Sequence, residues 1–328
     1  MRLRDVGEFG LIDRISRKIR QSGAVRIGIG DDAAAIETTP GFLTLVTTDM
    51  LVEGIHFDPA YGDPFTLGRK SLAVNLSDMA AMGGVPRHFL LSLAIPVEWP
   101  VESVDSFIDG MLEMSDGFGL TLIGGDISSS LRGLVISVTL LGEQSPDLVV
   151  TRSGARPGDL VCVTGTLGDS AMGLSLLKKG MRGGKTVRRH LDPVPRVREG
   201  IALAEGKVPS AMIDISDGLL ADLGHILELS GVGARISLEK LPISDDYLAG
   251  HKTVGGDLFS LPLGGGEDYE LLFTVPPANI AAARSAMSEA GTRFTVIGEI
   301  TSSCAVSLVD AAGEEYTQGY RGYNHFSD

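Results

Sequence analysis

Cysteine is almost missing from this chain. Among 328 residues only Cys162 and Cys304 occur, too few for a disulfide framework and not spaced as a CxxC metal or redox site. So few thiols fit a reducing compartment, although one disulfide stays open on sequence alone. Positive charge is short as well: Lys and Arg total 28 against 42 Asp and Glu, a net charge of −14. A body this acidic repels phosphate backbones, which argues against nucleic acid as a partner. It suits cations, or phosphorylated ligands carried as metal complexes. No run approaches 18 consecutive apolar residues, so no membrane-spanning helix is expected. The first twenty residues are basic in part but lack an apolar stretch and a small-residue cleavage site, so no secretory signal is expected. The expectation is a cytoplasmic protein without a membrane partner, long enough for two domains.

Several familiar catalytic signatures are absent too. The six histidines form no HExxH pair, and no serine sits in a GxSxG elbow, which sets aside zinc and serine hydrolases. Gly180-Met-Arg-Gly-Gly184-Lys185-Thr186 resembles a phosphate-binding loop, but its first glycine is one residue too close. It also follows a predicted helix, whereas a phosphate loop follows a strand. Gly28-Ile-Gly30-Asp-Asp lacks the third glycine and the following helix of a dinucleotide fingerprint.

Glycine, by contrast, is abundant, 43 residues dispersed between apolar segments. Spacing predicts helices at 8–20, 64–82 and 101–118 and strands at 33–37, 42–47, 120–123 and 134–141. A polar, irregular stretch at 144–153 places the domain boundary near residue 148, giving domains 1–148 and 149–328. Beyond it, strands are expected at 160–164, 211–215, 234–238, 270–275, 293–298 and 304–309. Helices are expected at 170–179, 193–205, 218–229 and 277–290, with a glycine-rich loop at 180–185. Both halves mix strands and helices, which makes the class α/β (α+β) in two lobes. The runs 43–46 and 134–141 are apolar with little alternation, as strands covered on both faces would be.

The placement of aspartates is the strongest signal. They fall at ends of apolar strands or inside an apolar helix, beside glycine or a hydroxyl: Gly28-Ile-Gly-Asp-Asp32, Val46-Thr-Thr-Asp49, Asn75-Leu-Ser-Asp78, Ile123-Gly-Gly-Asp126 and Ile213-Asp-Ile-Ser-Asp217. Any one alone reads as a turn or capping residue. If they converge, five or six carboxylates share one pocket. Two like charges about 4 Å apart cost on the order of 4 kcal/mol even at an effective dielectric of 20, so such a pocket protonates or holds cations. Hard oxygen donors with neighbouring Thr and Ser select Mg²⁺ over zinc. Several Mg²⁺ ions in a glycine-lined cleft suit the handling of ATP phosphates.

The succession Gly7-Glu-Phe-Gly-Leu-Ile, Thr48-Asp-Met-Leu-Val-Glu-Gly-Ile-His56-Phe, Leu72-Ala-Val-Asn-Leu-Ser-Asp-Met, Leu122-Ile-Gly-Gly-Asp126, Thr151-Arg-Ser-Gly-Ala, Arg189-His-Leu, Ile213-Asp-Ile-Ser-Asp-Gly-Leu and Gly265-Gly-Glu-Asp-Tyr-Glu-Leu resembles the thiamine-monophosphate kinases. The likeness is collinear from residue 7 to Tyr323-Asn-His-Phe326. It implies an aminoimidazole ribonucleotide synthetase-like fold of two α/β lobes, with N-terminal sheets paired into a barrel across a homodimer. It implies Mg²⁺-assisted transfer from ATP to thiamine monophosphate, the last step of thiamine diphosphate formation. By the same resemblance, metal ligands fall on Asp32, Thr47, Thr48, Asp49, Asp78, Asp126, Asp214 and Asp217. ATP contacts fall on Gly125, Asp126, Arg152 and Ser216, and acceptor contacts on His56, Glu267 and Tyr323. Catalytic roles fall on Asp126, Asp217 and Arg152. The chain departs from the family pattern at Ile127-Ser128, where Thr-Thr is usual, and at Leu263-Gly264, where Leu-Ser is usual.

Two rivals stay in view. One is another activity of the same superfamily, such as ATP-driven cyclisation or selenium phosphorylation; the lack of any cysteine before Cys162 disfavours the latter. The other is a regulator that binds nucleotide or thiamine phosphate without turnover, which would be expected to have lost some of these carboxylates.

Overall fold

Alternation of buried and exposed side chains organises the first half of the structure, a computed structural model in which residues 11–12, 14–19, 23–27 and 35–316 are described. The first of two units comprises Met1–Met79 and Val85–Pro146. It holds β1 (Val25–Ile27), β2 (Ala35–Ile36), β3 (Leu43–Val52), helix α1 (Pro64–Ala81), β4 (Val85–Pro96), α2 (Val101–Phe118), β5 (Thr121–Ser130) and β6 (Val135–Gln144). The last two residues of α1 group with the second unit. β3, β6, β4 and β5 form a sheet in that order. β4 pairs with β6 antiparallel and with β5 in parallel, the arrangement a crossover through α2 allows.

One face of this sheet is buried: Phe89, Leu91 and Leu93 of β4 align with Ile136, Val138 and Leu140 of β6, all 5% exposed or less. α2 contributes Val104, Phe107, Ile108, Met111 and Met114 at helical spacing and stops at Gly119 in the left-handed conformation. Its backbone touches that of α1, because a Cβ on Gly110 would stand 2.0 Å from the Phe65 carbonyl oxygen, and one on Gly68 1.9 Å from that of Phe107. The opposite sheet face is open in the single chain. Val46 is 63% and Met50 58% exposed, and β6 alternates strictly between buried and half-buried residues. In a single chain, then, β3 and β6 are covered on one face only.

The second unit comprises Ala80–Gly84 and Asp147–Asp328. Its elements are β7 (Leu160–Thr164), α3 (Asp169–Lys178), α4 (Lys185–Leu191), α5 (Val197–Glu205), β8 (Ala211–Asp214), α6 (Leu219–Ser230), β9 (Gly233–Ser237), α7 (Asp245–Val254), α8 (Ser260–Gly264), β10 (Leu271–Val275), α9 (Ile280–Ala290), β11 (Phe294–Thr301) and β12 (Val306–Val309). Six strands make one sheet in the order β12-β9-β11-β7-β10-β8, antiparallel except for β12 against β9. Val161, Val163, Ile213, Leu272 and Ile297 of its strands pack with Leu223 and Ile226 of α6 in one apolar core. No helix among the described residues is long and apolar enough to cross a membrane.

Most expected elements recur within a few residues, with instructive exceptions. β1 and β4 were not expected, and neither were α4, α7 and α8, while the helix expected at 8–20 lies partly outside the described residues. The helix expected from 193 starts only at Val197, because Pro193 and Pro195 hold the residues before them out of helical conformation. β3 and β5 run past their expected ends, which puts Asp49 and Asp126 inside strands rather than at strand termini.

Candidate active site

Within the first unit, Thr47 and Asp49 share the β3 face that carries buried Leu45 and Leu51. Asp78, in the last turn of α1, accepts a hydrogen bond from Thr47 Oγ1 at 2.5 Å. Burial first, and the charge of Asp78 second, push the Asp49 carboxyl up to about 7. Thr48 points to the other face and donates to the Val138 carbonyl at 3.0 Å. His56 Nδ1 accepts the Val52 amide at 3.0 Å, which leaves the ring proton on Nε2 in the neutral form.

Gly125 and Asp126 are placed differently. Ser92 pairs with both Ser137 and Asp126, whereas Asp49 pairs with Val138. Asp126 therefore lies on the exposed face and on the edge opposite β3, three strand positions or about 14 Å away. Within a single chain Asp126 thus stands apart from Asp49 and Asp78, because β6 and β4 lie between β3 and β5. Gly125 has φ +156°, and an added Cβ would stand 1.8 Å from the Leu91 carbonyl oxygen. Only glycine fits that approach to β4. Asp32 lies outside the described residues.

In the second unit two loops are stitched together. Residues 215–218 follow β8, whose last residue, Asp214, is buried. Asp222, in the first turn of α6, folds back so that its Oδ2 accepts the amides of Ser216, Asp217 and Gly218, each at 3.1 Å. These amides lie at and just before the helix N-cap, Gly218. Burial, then the neighbouring Asp217 charge, push Asp222 up to about 7 against those three bonds. The segment 265–270 lies alongside: Glu267 donates its amide to the Ser216 carbonyl at 2.8 Å, and Tyr269 donates to that of Ile215 at 2.9 Å. Glu267 and Tyr269 both adopt left-handed backbone, φ 65° and 50°, a strained state for side chains of this size.

Three side chains hold that strained segment. Asp268 accepts the amides of Gly168 at 2.7 Å and Ser170 at 3.2 Å, a carboxylate at the start of α3. Desolvation pushes its carboxyl well above the usual range. Glu270, 1% exposed, receives a fork from Arg196, with Nε and a terminal nitrogen each at 2.6 Å, and the Thr164 hydroxyl at 2.7 Å. Glu267 Oε2 lies 3.1 Å from His190 Nδ1. Arg152 is exposed on a segment that Thr151 ties to β8 by accepting the Met212 amide at 3.0 Å. Tyr323 lies outside the described residues.

Asp222, His190, Arg196 and Glu270 were not singled out as site residues from sequence. For Asp222 a signal existed, an acid in the first turn of a predicted helix. For the Arg196–Glu270 pair, 74 positions apart, none did.

Among the described residues no group of three or more His, Cys, Asp or Glu side chains is set to hold a metal ion. Mg²⁺ does not require one, since it is commonly held by one or two carboxylates together with water and phosphate oxygens. Thr47, Asp49 and Asp78 are hard oxygen donors on adjacent elements, two of them mutually repelling acids. That donor set fits a divalent cation of this class.

Comparison with known proteins gives concordant results. Residues 30–144 match the family AIR synthase related protein, N-terminal domain, and residues 156–311 the family AIR synthase related protein, C-terminal domain. The chain is 41% identical to a thiamine-monophosphate kinase of Escherichia coli (strain K12), over 98% of each chain. It is similar to the crystal structure of thiamine-monophosphate kinase from Stenotrophomonas maltophilia K279a, with a TM-score of 0.84 and 36% identity over 95% of this chain and 98% of that one. A solved structure of AaThiL complexed with AMPPCP and TMP is similar with a TM-score of 0.77 and 36% identity over 99% of both chains.

Proposed function

The chain belongs to the thiamine-monophosphate kinases, and from that membership we infer that it transfers the terminal phosphoryl group of ATP to thiamine monophosphate, giving ADP and thiamine diphosphate. The observation that carries this is identity of 41% sustained over 98% of both chains. The bound ATP analogue and TMP named for the AaThiL structure support the substrate pair.

The acceptor atom is a phosphate oxygen, already ionised near neutral pH, so no side chain has to act as a strong base. Catalysis then consists of holding two anions in line and offsetting their charge. Mg²⁺, when bound, supplies the positive charge that lets acceptor and donor phosphates approach. In the first unit Thr47, Thr48, Asp49 and Asp78, with Asp32 and Asp126, are the proposed metal ligands; in the second they are Asp214 and Asp217. Gly125 and Asp126 offer a backbone position and a carboxylate for the ATP complex. Ser216 contributes an amide-fixed position, and Arg152 a guanidinium suited to phosphate oxygens. Asp126, Asp217 and Arg152 carry the catalytic assignment. His56, Glu267 and Tyr323 are assigned to the acceptor, whose thiazolium ring is cationic and favours a carboxylate and an aromatic face.

The protein acts in the cytoplasm as a homodimer, its open four-stranded sheet face covered by that of a second copy into a barrel. Exposed Val46 and Met50 on that face support this, and a sedimenting species of one chain at micromolar concentration would rule it out. Acceptor choice tests the function: thiamine monophosphate should be consumed with ATP and Mg²⁺, whereas free thiamine, lacking a phosphate for the metal, should react at most very poorly. Brisk phosphorylation of free thiamine would overturn the assignment.

A further inference from the structure

We propose that His190 is a positioning residue for the acceptor site, holding the Glu267 carboxylate in the orientation that receives thiamine monophosphate; this rests on the assignment of Glu267 to the acceptor. The backbone around Glu267 is over-determined. Its own amide bonds Ser216, that of Tyr269 bonds Ile215, and the Asp268 carboxylate between them takes the amides of Gly168 and Ser170. Those bonds fix where the Glu267 side chain begins. They do not fix where its carboxylate points, which three further torsions decide.

His190 supplies that constraint from the buried side. It is 5% exposed, near the end of α4, and its Nδ1 lies 3.1 Å from Glu267 Oε2 and 3.1 Å from Ser170 Oγ. A carboxylate is held at this nitrogen only when Nδ1 carries a ring proton. The Ser170 hydroxyl on the same nitrogen fixes the rotation of the ring. The two helices concerned are in backbone contact, since a Cβ on Gly173 of α3 would stand 2.2 Å from the Thr186 carbonyl oxygen of α4. Ring, serine and the Asp268 anchor therefore sit on one rigid piece. The Glu267 side chain remains 26% exposed. The carboxylate is thus gripped from inside while part of it faces outward, where a cationic ligand can reach it. Arg196 does a different job, its fork being engaged by Glu270.

The test is steady-state kinetics with ATP and thiamine monophosphate varied in turn. The variants are His190→Ala, the space-filling His190→Phe, His190→Asn, Glu267→Ala and the His190→Ala/Glu267→Ala double variant, with thermal unfolding recorded alongside. Loss of a charge-assisted contact that orients the acceptor should raise KM for thiamine monophosphate roughly tenfold in the Ala and Phe variants. KM for ATP should stay within about twofold, since His190 touches nothing assigned to ATP. His190→Asn, whose amide nitrogen takes the place of Nδ1, should restore KM toward the parent value. In the Glu267→Ala background His190→Ala should add less than about a twofold change. Parallel rises in both KM values, failure of Asn to restore, or additive effects in the double variant would overturn the proposal. If Glu267→Ala raises KM for thiamine monophosphate while the His190 variants do not, only the His190 role falls. If Glu267→Ala leaves that KM unchanged, the acceptor assignment itself falls and takes the proposal with it.

Discussion

Replacing Arg196 by methionine removes a buried ion pair, strands Glu270 and takes a 3.4 Å contact away from Glu199. Glu270 is 1% exposed, and the two 2.6 Å bonds from Arg196 supply most of its compensation. What remains is the Thr164 hydroxyl at 2.7 Å and Arg189 at 3.6 Å, whose side chain is 38% exposed. Breaking a buried pair from one side costs about 3–5 kcal/mol. Arg189 is partly solvated and offsets only a fraction, about 1 kcal/mol, so the net loss should be about 2–4 kcal/mol. For a unit of this size each kcal/mol corresponds to roughly 2–4 °C, so the midpoint of thermal unfolding should fall by about 5–15 °C. Removing the second charge as well, in Arg196→Met/Glu270→Gln, should recover most of the loss, because a neutral amide beside Thr164 is far cheaper to bury than an unpaired carboxylate. Scanning calorimetry of the two single variants and the double variant measures this. A drop under about 2 °C for Arg196→Met, or a double variant less stable than both singles, would refute the reasoning.

Three further expectations follow from packing and burial. Gly110→Ala should destabilise the first unit by about 2–4 kcal/mol, because its Cβ would meet the Phe65 carbonyl at 2.0 Å and the two helices must move apart; a denaturation midpoint equal to the parent's would contradict that contact. The folded Asp222 carboxyl sits at about 7, against an ordinary 3.8, so its contribution to stability is full below about pH 4 and is lost as pH rises to about 7. Asp222→Asn should flatten that stretch of the melting-temperature profile, and an unchanged slope would count against it. Burial pushes the Cys162 thiol up to about 12, while Cys304 is exposed; a thiol reagent at pH 8 should label one cysteine quickly and the other only on unfolding, whereas rapid labelling of both would show the β7 core to be open.

How much of this was legible beforehand depended on range along the chain. α2 was legible because its apolar residues recur at helical spacing and Gly119 ends it. β4 was not, since Val85-Pro-Arg-His opens with a breaker and two basic groups, and an apolar run of this length fits a buried helix as well as a strand. α7 is polar on most sides, but Ser244 capping the Tyr247 amide, followed by Asp245 and Asp246 in the first turn, was a usable signal. The aspartates were found by their context, yet which of them meet was not. Asp78 reaches Thr47 across 31 positions, while Asp126 ends on the far edge because β6 and β4 lie between β3 and β5. The residues that hold the Glu267 segment in strained conformation come from 74 to 107 positions away in several cases, and only the folded chain assembles them.

Phosphoryl transfer to a phosphate acceptor is the central claim, and phosphorus NMR of the purified protein with ATP, Mg²⁺ and thiamine monophosphate tests it most directly. The γ-phosphoryl resonance of ATP and the monoester resonance of thiamine monophosphate should disappear together, replaced one for one by the paired resonances of ADP and thiamine diphosphate. ATP consumed with release of orthophosphate, the thiamine monophosphate signal persisting unchanged, would contradict it.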